Sequence, residues 1–199
     1  GIGSWMALAR TAAYANALFL TISFGTLAYS FYISDFTLLN VASNSNSLLP
    51  WFYKVAASWG SHEGSILFWA LMLTWWGFFV ALTSRKLPQE TVARVLGVMG
   101  FITAGFVAFM LFTSNPFLRL FPAAPEGADL NPLLQDPGMV FHPPLLYMGY
   151  VGFTVPFAFA IAALIAGRLD AVWARWMRPW TTMAWILLCL LYTSPSPRD

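Results

Sequence analysis

The chain has 199 residues, of which 59% are hydrophobic and only 9% charged; its mean hydropathy is +0.67 and its formal net charge +2. Soluble domains carry about 25% charged residues, so this composition excludes a water-soluble globular domain. The single cysteine, Cys189, excludes a disulfide framework, a C-x-x-C redox pair and a C-x-x-C-H haem attachment site.

Charge-free intervals mark the elements. No charged side chain occurs between Arg10 and Asp35, Glu63 and Arg85, Arg94 and Arg119, Asp136 and Arg168, or Pro179 and Pro197. A helix needs about 20 apolar residues to cross the hydrocarbon core, and only helices or closed barrels satisfy their backbone there. The expected fold is an all-α integral membrane protein, a polytopic transmembrane helix bundle with spans near 11–33, 65–83, 95–113, 145–167 and 180–192. The chain opens on "GIGSWMALAR" without an initiator methionine. The apolar run that follows is of spanning length, which separates it from a signal peptide.

Loop charges orient the bundle. Arg10, Arg85, Lys86, Arg94, Arg168, Arg175 and Arg178 fall on one side, and Lys54 and Arg119 on the other. The positive-inside rule makes the first side cytoplasmic. The long loops 34–64 and 114–144 then face outward, with His62 and His142 beside the mouths of the second and fourth spans.

The first outer loop reads "DFTLLNVASNSNSLLPWFYKVAASWGSHEGS". Its Leu48, Leu49, Trp51, Phe52, Tyr53 and Trp59 suit the headgroup level as an anchoring belt. The sharper alternative is that these rings form part of a platform for a flat apolar ligand. In "WGSHEGS", Ser61 can cap the second span and Glu63 favours the positive end of its helix. His62 is then a structural neighbour, and "HEGS" lacks the second histidine of an H-E-x-x-H zinc helix.

The second outer loop is dense in turn formers: "NPF", "FPAAPEG", "NPLLQDPG" and "HPP". His142 precedes Pro143, which disfavours helical geometry at the histidine. Pro143 or Pro144 suits the first helical position of the fourth span. On that reading the imidazole sits at a helix mouth, where the dipole favours the neutral ring and leaves a nitrogen lone pair for a metal. The alternative is a hydrogen-bonding neighbour in ordinary interfacial company, among Met139, Phe141, Tyr147, Met148 and Tyr150. The pattern alone leaves both open. Toward the end, "TTMAWILLCLLYTSPSPRD" begins a fifth span and turns polar, so 193–199 reads as a truncated or non-native tail.

Taken together, "VASNSNSLLP", "WGSHEGSILFW", "VARVLGVMGF", "LFTSNPFLRLFP", "DLNPLLQDPGMVFHPPLLYMGYVGF" and "RPWTTMAWILL" closely resemble the cytochrome c maturation haem lyases, the CcmF family, from about residue 35 to about residue 188. A close relative serving nitrite reductase maturation shares much of this region. On this resemblance, residues 1–192 are the N-terminal part of the cytochrome c assembly transmembrane domain, and the protein lies in the bacterial cytoplasmic (inner) membrane with His62 and His142 periplasmic. It implies that haem (heme b) is handled as a substrate, and as a bound cofactor in the full-length protein. Haem would arrive from a periplasmic haem chaperone and be joined through its vinyl groups to the C-x-x-C-H thiols of an apocytochrome c. Other maturation membrane subunits and membrane lipid are the remaining expected partners; nucleic acid is not.

The resemblance assigns His142, the histidine of "FHPP", as an axial ligand to the haem iron. It places the partner histidine, a tryptophan-rich outer segment and the intramembrane histidines for a b-type haem beyond this chain. Trp75 and Trp76 lie within the second span and are not that outer segment. The segment by itself is expected to be inactive, and no catalytic group is assigned. Lys54 and Arg119, the outward cations, are candidate partners for the haem propionates. Two other classes compete: a transporter, which would carry ionisable groups inside its spans, and a scaffold subunit whose loops only dock other proteins. The spans expected here contain no Asp, Glu, Lys, Arg or His.

Overall fold

A computed structural model describes residues 2–167 and 171–193. Among them the regular structure is helical, apart from an isolated antiparallel bridge between Leu38 and Arg119. The helices are α1 (Ile2–Tyr32), α2 (Leu39–Asn44), α3 (Trp51–Gly60), α4 (His62–Thr83), α5 (Gln89–Phe112), α6 (Pro137–Gly152), α7 (Thr154–Ala166) and α8 (Ala171–Thr193). Short 3₁₀ turns sit at Ser84–Lys86 and Pro132–Leu134.

Four stretches are long and apolar enough to cross a membrane: Gly3–Tyr32, His62–Lys86, Gln89–Phe112 and Pro137–Ala166. They are apolar on every side. Phe101 and Phe112 of α5 stand 84% and 86% exposed, and Phe19 of α1 63%, which suits a face turned to lipid. The chain is an all-α polytopic membrane bundle. The region expected as a fifth span is part of α8, which begins earlier and takes in Arg175 and Arg178, both expected in a loop. Alanine, arginine and methionine favour helix whether or not they face lipid, so the helix outruns its apolar part. The turn-rich tail at 194–199 lies outside the described residues.

α4 is the hub, packed against α1, α3, α5, α6 and α7. Two apolar clusters fill the bundle. One joins Leu73, Trp76 and Val80 of α4 to Val95 and Met99 of α5 and Val155 and Phe159 of α7. The other joins Leu27 and Phe31 of α1 to Leu67 and Ala70 of α4, Val41 of α2, and Leu49 and Leu130 of the loops. α6 meets α8 at glycine. A Cβ at Gly149 would come within 2.7 Å of Leu188, and one at Gly152 within 2.8 Å of Trp76 and 2.9 Å of Ala184. Small residues let membrane helices approach this closely.

Polar side chains within the spans look after themselves. Thr21, Thr26 and Ser30 of α1 donate to the carbonyls of Ala17, Ile22 and Thr26 at 2.6, 2.9 and 3.0 Å. α1 ends where Ser34 takes a left-handed φ of 58°, which lets the Asp35 N–H reach the Ser30 carbonyl at 2.9 Å. Arg10 donates to the Ala81 and Ser84 carbonyls, placing a cation at the negative end of α4. The run Pro137–Ala166 is broken at Phe153 because Pro156 has no N–H to give the Gly152 carbonyl.

Candidate functional site

α6 begins earlier than the proline pair suggests. Asp136 is its N-cap, accepting from the Gly138 N–H at 2.6 Å, and Pro137 holds the first helical position. His142 is therefore helical, in the second turn and half-buried, with Pro143 and Pro144 inside the helix. This corrects both expectations drawn from "HPP": the histidine is not forced out of the helix, and neither following proline starts it. The dipole argument for a neutral ring lapses with it, since that field fades beyond the first turn.

Why is a helix tolerated there? A proline at position i leaves the carbonyl of residue i−4 without its helical donor. For Pro143 that carbonyl is Met139, and it accepts instead from the indole N–H of Trp59, at 3.0 Å. The donor comes from α3, 80 residues away in the chain. Membrane helices accept proline where a neighbour satisfies the freed group in this way.

Trp59 is itself held in a column of rings. It stacks on Phe68 (centroids 5.6 Å, 27°) and on Phe24 (6.5 Å, 21°). Phe68 meets Tyr147 edge-on at 5.3 Å, and Tyr147 meets Trp69 at 5.7 Å. The column continues from Trp69 to Phe106 and Tyr150, each at 5.6 Å. Such pairs add about 0.5–1.5 kcal/mol each beyond area burial. α6 is thus braced along the length that carries His142 and Tyr147. Nothing in the sequence revealed this bond, although a Met139 carbonyl four residues before Pro143 was a signal that some donor was needed.

The anchoring-belt residues separate. Leu48, Trp51 and Phe52 are 92%, 65% and 40% exposed, whereas Leu49 is buried and Trp59 serves as the peg just described. Ser61 does cap α4, accepting from the Gly64 N–H at 3.1 Å, with Glu63 in the first turn and His62 exposed. Both histidines lie at one end of the bundle, because Gly60 packs against Met139. Among the described residues no three His, Cys, Asp or Glu side chains converge. A metal at His142 would take one imidazole from this segment and bring its other ligands with it.

The two long loops are sewn together over this end. The Leu39 N–H donates to the Leu118 carbonyl at 2.9 Å, the Leu120 N–H to Thr37 at 2.8 Å, and the Ala128 N–H to Ala42 at 2.7 Å. Lys54 Nζ donates to Ser34 Oγ at 2.8 Å and to the Ser47 carbonyl at 2.9 Å. Arg119 donates to Thr37 Oγ1 at 3.0 Å. Both cations therefore have structural duties, yet an ammonium has three N–H donors and a guanidinium five, so each keeps donors for another group.

Glu126 completes the seam. It accepts from the Ser47 N–H at 2.9 Å, the Ser47 hydroxyl at 2.7 Å and the Gly127 N–H at 3.0 Å. The Ser47 hydroxyl, then the two backbone donors, hold its carboxyl below the usual carboxylate range. A carboxylate with a lower pKa folded than unfolded stabilises the fold above its unfolded pKa, and loses that contribution as pH falls through its folded pKa. The protection factor of the Ser47 amide against hydrogen exchange should therefore stay high at neutral pH and fall only below the ordinary carboxylate range. Glu126→Gln should lower that protection factor at neutral pH and make it nearly independent of pH; unchanged protection in that variant would remove the seam's dependence on charge.

The chain matches the family described as Cytochrome C assembly protein over residues 59–192, which includes His142 and Arg119 and leaves Lys54 outside. It is 59% identical over 189 residues to the cytochrome c-type biogenesis protein CcmF of Pseudomonas aeruginosa, covering 94% of this chain and 29% of that protein. With the CcmF of Haemophilus influenzae the identity is 58% over 191 residues, covering 96% and 30%. A solved structure, "Cytochrome c Heme Lyase CcmF", superposes with a TM-score of 0.79 at 29% identity, covering 92% of this chain and 28% of that one. The chain thus spans under a third of the length of the relatives it matches.

Proposed function

The chain belongs to the Cytochrome C assembly protein family, and from that premise we propose that it is the part of a bacterial cytochrome c haem lyase that receives haem at the outer end of the bundle. Haem is the substrate, passed on by a periplasmic haem chaperone. His142 gives one axial nitrogen to its iron, and the second axial ligand comes from another segment. Each vinyl group then takes up one thiol of the apocytochrome C-x-x-C-H site. The sulfur bonds to one vinyl carbon and the proton goes to the other, so no redox partner is required for the addition itself. The protein lies in the cytoplasmic membrane with this end periplasmic, which the distribution of Lys and Arg supports.

The observation that carries the reading is the bracing of "FHPP". Its histidine is half-buried on a helix whose freed carbonyl is claimed by Trp59. Exposed Phe141 stands beside it as an apolar surface for a porphyrin face. Lys54 and Arg119 retain donors for propionates. A tetrapyrrole supplies four ligands to its own iron, so one imidazole from this segment is a sufficient contribution. In α4, α5 and α7 no ionisable residue lies beyond the first two turns, which favours this reading over a proton- or ion-carrying one.

Titrating ferric haem into the purified chain, with imidazole held below the concentration that makes free haem low-spin and the spectrum read on the protein peak after gel filtration, tests the assignment. A low-spin Soret spectrum should develop in the wild type and in His62→Ala, and should be lost in His142→Ala. An unchanged spectrum in His142→Ala overturns it.

A further inference from the structure

A second feature lies away from His142, at the opposite end of α4. The second half of α4 and the matching face of α8 do not close on one another; they bound a groove of about 840 Å³, with Met148 of α6 and Leu87 also on its wall. That size falls within the roughly 300–1,000 Å³ of small-molecule sites. α4 contributes Trp75, Trp76 and Phe79, spaced as one helix face, and α8 contributes Trp176, Trp180 and Met183 in the same way. Trp76 forms its floor. The ring is buried against Gly152, its N–H is spent on the Met148 carbonyl at 3.1 Å, and its edge meets Trp180 at 6.1 Å. The other walls face outward, with Trp75, Phe79 and Met183 40%, 41% and 50% exposed.

One end of this apolar groove is polar and cationic. Thr83, Ser84 and Arg175 line it, and Arg85 and Lys86 follow directly in the chain. Arg175 is exposed and has no ion pair among the described residues; the one ion pair found there joins Arg94 to Glu90. Among the described residues no carboxylate lines the groove. A cation at the mouth of an exposed aromatic slot matches one amphiphile: apolar tails inward, an anionic head at the rim. We propose that this groove binds an anionic glycerophospholipid, its acyl chains between α4 and α8 and its phosphate on Arg175. Basic pockets between membrane helices recognise anionic headgroups in this manner, and tryptophan suits the headgroup boundary.

The test uses the chain in phosphatidylcholine nanodiscs doped with lipid brominated on its acyl chains, either phosphatidylglycerol or phosphatidylcholine, at equal mole fraction. Bromine quenches nearby indoles. The groove signal is the part of the quenching lost in Trp176→Phe/Trp180→Phe. It should saturate at about fivefold lower mole fraction with phosphatidylglycerol, the preference that one headgroup contact of this kind gives. Arg175→Gln should bring the two lipids level while leaving total tryptophan emission unchanged. Equal quenching by both lipids in the wild type means ordinary bilayer contact and overturns the proposal. So does a preference that survives Arg175→Gln. Absence of groove quenching by either lipid means that a protein helix fills the slot, and overturns it as well.

Discussion

Gly64→Ala should lower the thermal midpoint of the chain in detergent by about 6–12 °C, reflecting a loss of about 3 kcal/mol at the upper end of what overpacking costs. The sequence "WGSHEGS" is a corner between two helices. α3 ends at Gly60, Ser61 is extended at φ −83° and ψ 156°, and α4 starts at His62. To turn in one residue, the chain brings the Ser58 carbonyl onto the first turn of α4. A Cβ on Gly64 would lie 1.8 Å from that oxygen and 2.6 Å from Ser61 Oγ. Neither is the loose end of a side chain. The Ser58 carbonyl is backbone, and Ser61 Oγ is the cap of α4. The corner must therefore open, and opening it withdraws Trp59 from Met139 and loosens α6. Intrinsic fluorescence reads the shift. A midpoint within a degree or two of wild type would show that the corner yields without strain. At Gly97 or Gly100 the same change meets nothing within 4 Å and should cost little.

The second large effect concerns Trp59 and Pro143 together. Trp59→Phe keeps a ring in the column but leaves the Met139 carbonyl without a donor, which costs about 1–3 kcal/mol for a buried polar group. Pro143→Ala restores an N–H at residue 143, able to make the ordinary helical bond to that same carbonyl. The two changes should therefore couple. Trp59→Phe should be markedly milder in the Pro143→Ala background, with an interaction energy of about 1–2 kcal/mol in a double-mutant cycle. Additive effects would mean that Trp59 acts through ring packing alone. The cycle also bears on the haem assignment. If Trp59 positions His142, then Trp59→Phe should weaken haem binding while leaving the low-spin spectrum intact at saturation.

Much of the bundle was legible in the residues. Charge-free intervals located α1, α4 and α5, since a long uncharged run can satisfy itself in lipid only as a helix. Ser61 and Glu63 announced the start of α4 because a cap and its first-turn acid are neighbours in sequence. The same local reasoning misplaced the start of α6. It weighed Pro143 and Pro144 as helix starters and overlooked Asp136-Pro137, which form an equally good cap and first turn. It also stopped α8 at its apolar half, because Arg175 and Arg178 read as loop charges while their helix propensity was unused. Of the site residues, His142 was singled out by its motif, but its place in a helix was not visible there.

By itself, the sequence determined that this protein lies in a membrane, which ends of its helices carry the positive charge, and that one histidine stands among prolines at the other end. Those properties add up along the chain, so neighbours suffice to read them. Only the tertiary structure decided that His142 rides inside a helix and not before it. Whether a helix survives Pro143 depends on a free carbonyl finding another donor. That donor, the Trp59 indole, lies 80 residues away and is brought within 3.0 Å by the packing of α3 on α6.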